Sequence, residues 1–148
     1  MENLEIKPNI GFGDITFGAT QDEIIKVVGK PEETEKLTED EDFYAIACNY
    51  WDKGFTLFFD GDDNSVFSCV ETDNAGATLF GKQIFKLKEK AIIELMQKNG
   101  FNDLDTELET WGEKRVSFED ALIDFYFDHD KLVSVNWGVV FDEEEGED

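Results

Sequence analysis

The side chains that could carry out catalysis are few and lie far apart in this sequence. His129, the only histidine, stands between Asp128 and Asp130, as a general base beside an orienting acid would. No matching nucleophile neighbours this histidine in the sequence. We adopt the simpler interpretation, which is that His129-Asp130 forms a tight two-residue hairpin turn.

Cys48 and Cys69 are the two thiols that could act as nucleophiles or metal ligands. A cysteine nucleophile needs a histidine partner, and both cysteines lie inside strand patterns instead. One histidine and two separated cysteines are also too few for a zinc site. The antiparallel hairpins predicted below place the two cysteines two strands apart, about 9–10 Å and beyond the reach of a disulfide. We predict that both are small core residues.

Two loops match ligand-binding motifs only in part. Residues 60–64, Asp-Gly-Asp-Asp-Asn, begin like the calcium loop of an EF-hand, but Ser65 stands where that loop needs glycine and Glu71 lies inside a strand pattern. Residues 11–14, Gly-Phe-Gly-Asp, lack the remaining glycine or the Gly-Lys-Ser of a phosphate-binding loop. The sequence therefore predicts no catalytic residue, no metal site and no cofactor.

The net charge limits the partners that the protein could bind. The formal charge is −23, from 36 acidic and 13 basic residues, and it would repel the phosphates of nucleic acids and anionic lipid surfaces. We therefore expect any charged macromolecular partner to be a basic protein, and we expect no nucleic acid and no membrane. Solubility alone is the alternative explanation of the charge.

The size and composition favour one folded domain. With 148 residues, 41% of them hydrophobic and 14% aromatic, the chain can form one sizeable core and is too short to favour two independent domains. We predict a single domain over residues 1–148. Residues 1–8 lack the basic and apolar parts of a secretion signal, and no stretch has the length of a membrane span, so we expect a cytoplasmic protein.

The two halves of the chain share a pattern at a spacing of about 68 residues. Residues 12–28 align without gaps with residues 80–96, and they have Phe-Gly, a following Phe and an Ile-Ile pair in common. Phe58-Phe59-Asp60 matches Tyr126-Phe127-Asp128 at the same spacing. We interpret the pattern as an internal duplication. The predicted units are repeat 1 (about 10–73), repeat 2 (about 78–141) and an acidic tail (142–148).

Each half is predicted to hold one helix followed by antiparallel strands. Thr20 is a good N-cap with Glu23 completing a capping box, and Gly29 ends the first helix. The second helix covers about residues 88–99 and has one apolar stripe. Hairpin signals separate the strands. The predicted strands cover about 43–51, 55–60 and 66–72 in the first half, and about 107–111, 114–118, 122–128 and 132–139 in the second.

These elements predict an α+β fold of two tandem helix-plus-antiparallel-sheet repeats, with the helices packed on one face of a continuous antiparallel sheet. Alternation along the strands divides their side chains between two faces. The apolar set that should meet the helices is Phe55, Leu57, Phe59, Ile123, Phe125 and Phe127.

The opposite set, here called the open face, is Thr56, Phe58, Asp60, Asp124, Tyr126 and Asp128. Aromatic rings beside carboxylates are unusual on a surface left in water, so we predict that this face binds another protein. The candidate binding residues are Trp51, Phe58, Asp60, Trp111, Asp124, Tyr126 and Asp128.

Two acidic segments lie outside these elements. Residues 32–42 join the first helix to the first predicted strand, and residues 142–148 form the tail. Neither segment can bury enough apolar surface to become ordered by itself.

The opening of repeat 1 resembles a known family. Residues 10–24, Ile-Gly-Phe-Gly-Asp-Ile-Thr-Phe-Gly-Ala-Thr-Gln-Asp-Glu-Ile, closed by Val-Gly-Lys-Pro over residues 28–31, resemble the helix-then-sheet repeat of proteins of the β-lactamase inhibitor protein type. That resemblance implies two repeats whose concave sheet face grips a partner protein. This chain departs from the family because it shows no secretion signal and no cysteine pair that we predict to form a disulfide. The resemblance therefore does not imply that β-lactamase is the target.

The chain also resembles small acidic bacterial immunity proteins, which are cytoplasmic and neutralise a toxin domain by direct binding. The resulting hypothesis is a non-catalytic protein-binding module, an immunity or inhibitor protein that neutralises a basic toxin or enzyme through its open face. The alternatives are a housekeeping adaptor or nucleic-acid mimic, and a small enzyme with a deep pocket around His129 or around a pair of carboxylates. The aromatic face could also be a homodimer seam.

Overall fold

The computed structural model describes residues 3–37, 45–61, 65–108 and 112–140. Within these residues the chain forms two α-helices and thirteen strands. In chain order they are β1 (Glu5–Lys7), β2 (Gly11–Phe12), β3 (Ile15–Thr16), α1 (Gln21–Val28), β4 (Glu33–Leu37), β5 (Ala45–Tyr50), β6 (Phe55–Asp60), β7 (Val66–Thr72), β8 (Thr78–Leu79), β9 (Lys82–Gln83), α2 (Glu89–Lys98), β10 (Leu104–Leu108), β11 (Glu113–Phe118), β12 (Ile123–Asp128) and β13 (Lys131–Gly138).

The main sheet has eight strands in the order β10-β11-β12-β13-β7-β6-β5-β4. All of its neighbouring strands are antiparallel. Each half of the chain contributes four consecutive strands, and the two sets meet where β7 pairs with β13. The predicted α+β class and the antiparallel strands are confirmed.

A second, smaller sheet was not predicted. It has five short strands in the order β3-β2-β1-β8-β9, and its β1 and β8 are parallel. Strands of two or three residues are too short for alternation to mark them, which explains why the sequence patterns missed this sheet. The prediction of one wholly antiparallel sheet was therefore incomplete.

Most predicted boundaries of the main sheet agree with the structure, but its two edge strands differ. Strand β10 begins at Leu104, three residues before the predicted strand, because Leu104 pairs with Phe118 of β11. Strand β4 lies inside the acidic segment 32–42, where no strand was predicted. Its side chains are largely exposed, so pairing with β5, not burial, is what orders β4.

The helices share one core with the inner face of the main sheet. Helix α1 buries Ile24 and Val28, and α2 buries Ile92 and Met96. These side chains belong to one hydrophobic cluster that includes the inward-pointing residues of β6 and β12 predicted above, namely Phe55, Leu57, Phe59, Ile123, Phe125 and Phe127. The inner face of the sheet was thus predicted correctly.

Trp137 of β13 connects this core to the smaller sheet. Its indole Nε1 donates a hydrogen bond to the carbonyl oxygen of Gly11, 3.0 Å away, although 126 residues separate the two in the sequence. Its ring also packs edge-to-face against Phe12. No local pattern in the sequence predicts either of these contacts of Trp137.

The predicted capping box of α1 is present. The backbone N–H of Thr20 donates to the Glu23 carboxylate at 2.9 Å, and the backbone N–H of Glu23 donates to the Thr20 hydroxyl at 3.2 Å. These bonds from the Thr20 backbone and side chain lower the pKa of Glu23. The helix ends at Val28, with Gly29 at its C-cap, as predicted.

The two cysteines are two strands apart, as predicted, and both are free thiols. Cys48 lies in the hydrophobic core. Cys69 does not, contrary to the prediction, because it pairs across the sheet with Phe58 and therefore lies on the open face. There its thiol donates to the Oδ1 of Asn136 at 2.9 Å.

Neither helix in the described part of the chain has the length and apolar character needed to cross a membrane.

Candidate binding site on the open sheet face

Strand register decides which side chains share the open face. In the first half, Ala47 of β5 lies between Glu35 of β4 and Phe58 of β6. In the next row along these strands, Asn49 lies between Glu33 and Thr56. The open face in this half is therefore built from polar and acidic side chains around one aromatic ring.

A groove of about 430 Å³ runs over this part of the open face. Ala47 lies among the residues that line it, and acidic and aromatic side chains surround that small residue. We call it the Trp51 groove, and the polar, acidic and aromatic residues that line it include Glu35, Asn49, Trp51, Phe58, Glu71 and Asp73. Its volume falls in the range of sites that hold small ligands or a partner's side chain.

Trp51 projects into solvent beside this groove. It begins a short 3-10 turn, Trp51–Lys53, directly after β5, and Gly54 closes that turn with a left-handed φ of 74°. The side chain is 60% exposed, which is unusual for tryptophan. The predicted candidates Trp51 and Phe58 are thus brought together at one groove.

Asn49 organises the polar lining of the groove. Its side-chain amide donates to the carboxylates of Glu35 and Glu33, at 2.7 and 3.4 Å. Its Oδ1 accepts a hydrogen bond from the hydroxyl of Thr56 at 2.8 Å. Asn49 is almost fully buried, so these partners hold its amide in one orientation.

The second half of the open face is organised around Arg115, the only arginine in the chain. Its Nη2 donates to Glu107 at 2.9 Å and lies 3.6 Å from Asp105, while its Nη1 lies 3.7 Å from Asp124. The hydrogen bond to Glu107, with the nearby carboxylates, raises the pKa of the guanidinium. Ser117 accepts from Arg115 and donates to Asp124.

Asp124 and Tyr126 therefore lie beside this arginine. Asp124 is a partner of Arg115, so part of its charge is already compensated within the chain. Tyr126 is the direct cross-strand neighbour of Arg115 and is half-buried. Burial, followed by the charge of Asp124, raises the pKa of the Tyr126 phenol.

The remaining candidates are more dispersed. Asp60 and Asp128 lie at the exposed ends of β6 and β12 and are not among the residues that line the groove. Trp111 lies outside the described residues. The structure thus gathers two of the seven candidates at the Trp51 groove and two others around Arg115.

His129 lies in a tight turn between β12 and β13, as predicted. His129 and Asp130 have φ values of 53° and 67°, as in a type I′ hairpin turn. The histidine side chain is 87% exposed, and its Nδ1 lies 2.6 Å from the Asp128 carboxylate. It does not line the groove.

Neither thiol has the lowered pKa of an activated cysteine nucleophile. Burial raises the pKa of Cys69 to about 12, and it raises the pKa of Cys48 as well. Both thiols are therefore protonated at neutral pH. Within the described residues, no three histidine, cysteine, aspartate or glutamate side chains are arranged so that they could hold a metal ion. Three residues of the acidic loop 60–64 lie outside the described residues.

Several groove residues were missed at the level of sequence. Glu71 follows the alternation of β7 and could have been assigned to the open face by the same rule as Phe58. Glu35 lies in the acidic segment that was not expected to form a strand, and Asn49 stands in an otherwise apolar run. No local signal indicates that these three meet at one groove.

Comparison with family models, with curated proteins and with solved structures gives no match to this chain.

Proposed function

We propose that this chain is a non-catalytic protein-binding module, an immunity or inhibitor protein that neutralises a basic toxin or enzyme through its open face. The observation that carries the proposal is the Trp51 groove, where an exposed tryptophan and Phe58 stand among the carboxylates of Glu35, Glu71 and Asp73. Aromatic anchors surrounded by polar groups are the usual centre of a protein interface.

The charge supports a basic partner. A formal charge of −23 accelerates encounter with a positively charged surface, while the aromatic side chains determine how long the complex lasts. Arg115 is surrounded by three carboxylates, so the open face presents no uncompensated arginine to repel such a partner.

The architecture supports the proposed tandem repeat. Each half supplies a short hairpin, a helix and four antiparallel strands in the same order, and β7 and β13 join the two sets. The proposed repeats cover about residues 10–73 and 78–141, within a single cytoplasmic domain. One hydrophobic cluster that includes residues of both halves favours the single domain.

The test begins with the full chain as bait in an extract of its native host, followed by purification of the basic protein retained. Calorimetry then compares the wild type with the double variant Trp51→Ala/Tyr126→Ala. We expect at least a tenfold loss of affinity, because truncation of a central aromatic anchor removes about 2 kcal/mol or more of binding free energy.

The matched control is Val27→Ala, since Val27 is an exposed apolar residue on α1, on the helix side of the sheet. It should bind like the wild type. Failure to retain any basic protein, or equal affinity of the double variant and the wild type, contradicts the proposal.

A further inference from the structure

The two halves of the open face place different side chains at corresponding positions. Ala47 lies between Glu35 and Phe58, and Arg115 lies between Glu107 and Tyr126, in the same strand register. Ala47 thus stands in the first half where the only arginine of the chain stands in the second. At this position of the open face, the first half therefore has no counterpart of the Arg115 side chain.

The surroundings of these two positions correspond as well. In the neighbouring row, Glu33, Asn49 and Thr56 lie where the second half has Asp105, Ser117 and Asp124. Both edge strands therefore present two carboxylates toward the central position. In the second half those two carboxylates hold the guanidinium of Arg115, at 2.9 and 3.6 Å.

In the first half the corresponding space forms part of the Trp51 groove. Glu35 and Ala47 line it from β4 and β5, and Glu71 and Asp73 line it from the side of β7. No described residue that lines the groove is basic. Asn49 donates a hydrogen bond to the carboxylate of Glu35, and the described residues that line the groove include no lysine, arginine or histidine.

We propose that the Trp51 groove binds an arginine side chain of the basic partner, over Ala47, at the position that Arg115 occupies in the other half. This inference rests on the function proposed above and names the group that the partner supplies. The groove has a volume of about 430 Å³, and Phe58 and Trp51 line it together with Glu35 and Glu71.

Arginine fits these surroundings better than lysine does. A guanidinium is planar, binds two carboxylate oxygens at once and stacks on aromatic rings, whereas an ammonium is a compact charge that prefers to keep its water. The second half provides one such arginine within this chain, because Arg115 lies there between carboxylates and beside Tyr126.

The test uses N-acetyl-arginine amide as a probe in an NMR titration of the full chain. The side-chain amide of Asn49 and the indole N–H of Trp51 report binding in the groove. We expect saturable shifts with the arginine probe, weaker binding of N-acetyl-lysine amide, and no saturable shift with N-acetyl-citrulline amide, which has nearly the same shape but no charge.

Two variants of the chain locate the site. In Ala47→Arg, the introduced guanidinium should occupy the site that we propose for the arginine of the partner. Binding of the probe should therefore weaken at least about tenfold, which corresponds to about 1.4 kcal/mol. Glu35→Gln/Glu71→Gln should weaken it comparably while keeping the shape of the groove, so the test does not depend on the folding of Ala47→Arg.

The matched control is Glu113→Gln, which removes one charge from the open face outside the groove, opposite Asp128. It should leave binding of the probe unchanged. Equal binding of arginine and citrulline probes, or an equal loss in Glu113→Gln and Glu35→Gln/Glu71→Gln, overturns the inference.

The experiment separates this inference from the proposed function. If the probe binds as described but no basic protein competes with it, the proposed function fails and the arginine site stands. If a basic protein depends on Trp51 and Tyr126 but binds Ala47→Arg with unchanged affinity, the proposed function stands and the arginine site fails.

Discussion

The carboxylate of Asp130 accepts a hydrogen bond from the backbone N–H of Glu89, 3.1 Å away, and so caps helix α2 from a hairpin turn 41 residues further along the chain. Helix α1 carries its own cap, Thr20, but α2 begins after Lys88, whose side chain cannot accept a hydrogen bond. The turn that contains His129 therefore has a structural task that needs no catalytic histidine.

We predict that Asp130→Gly lowers the free energy of unfolding by about 1 kcal/mol, the usual loss for a missing helix cap. Glycine adopts the positive φ at this position without strain, so the loss reports the Asp130 carboxylate, which caps α2 and also lies 3.8 Å from the ammonium of Lys88. Asp130→Asn keeps an acceptor oxygen and should stay within about 0.5 kcal/mol of the wild type. Urea unfolding measures both, and equal losses would exclude the capping role.

Arg115 should stabilise the second half of the sheet by compensating its carboxylates. Arg115→Ala leaves Asp105, Glu107 and Asp124 close together, and we expect a loss of about 1–2 kcal/mol that diminishes as salt is added. Lys114→Ala is the control, because Lys114 makes one ion pair, with Glu89, worth at most about 1 kcal/mol. A loss no larger than that of Lys114→Ala, or one insensitive to salt, would contradict this role.

Gly138 allows close approach of the two strands that join the halves. A Cβ atom at this position would lie 2.4 Å from the carbonyl oxygen of Ser68, a backbone atom that cannot move aside freely. Gly138→Ala should therefore lower stability by about 1–3 kcal/mol. Gly76→Ala, whose nearest neighbours are side-chain atoms of Asn74 and Leu4, should cause a smaller loss in the same thermal unfolding assay. The opposite order would show that the β7–β13 junction is not tightly packed.

Glu23 should make the stability of the protein depend on pH in the acid range. Hydrogen bonds from Thr20 lower the pKa of Glu23 from its ordinary value of 4.5. The Glu23 carboxylate therefore makes its full contribution to the free energy of unfolding above pH 4.5, and this contribution is lost as the pH falls through the lowered pKa. Glu23→Gln lacks this titration. The difference in urea midpoint between the wild type and Glu23→Gln should shrink as the pH falls below 4.5 and through the lowered pKa of Glu23. A difference that is constant with pH would contradict the prediction.

The thiol of Cys69 should be unreactive in the folded protein. Burial is the main reason why its pKa rises from 9.0 to about 12, which lowers the thiolate fraction about a thousandfold. A thiolate-specific reagent at neutral pH should therefore modify the native Cys48→Ala variant, in which Cys69 is the remaining thiol, far more slowly than the same variant in urea. Rapid modification of the native variant would instead indicate an activated cysteine.

The sequence alone predicted the elements whose signals are local. The capping box placed the start of α1 at Thr20, and alternation placed β6 and β7 at the residues that the structure shows. The same alternation separated the buried residues of β6 and β12 from those of the open face. Each of these predictions depends on contacts within a few residues or on the two-residue period of a strand.

Only the tertiary structure decided how distant segments meet. The five-stranded sheet joins strands too short to recognise, and β4 is ordered by pairing with β5 despite its acidic composition. The contrast between Ala47 and Arg115 likewise appears only when strand register sets each beside its own edge-strand carboxylates. Cross-strand pairing brings together residues that share no local pattern, because the register of each strand pair, which the buried face and the connecting turns set, determines which positions become neighbours.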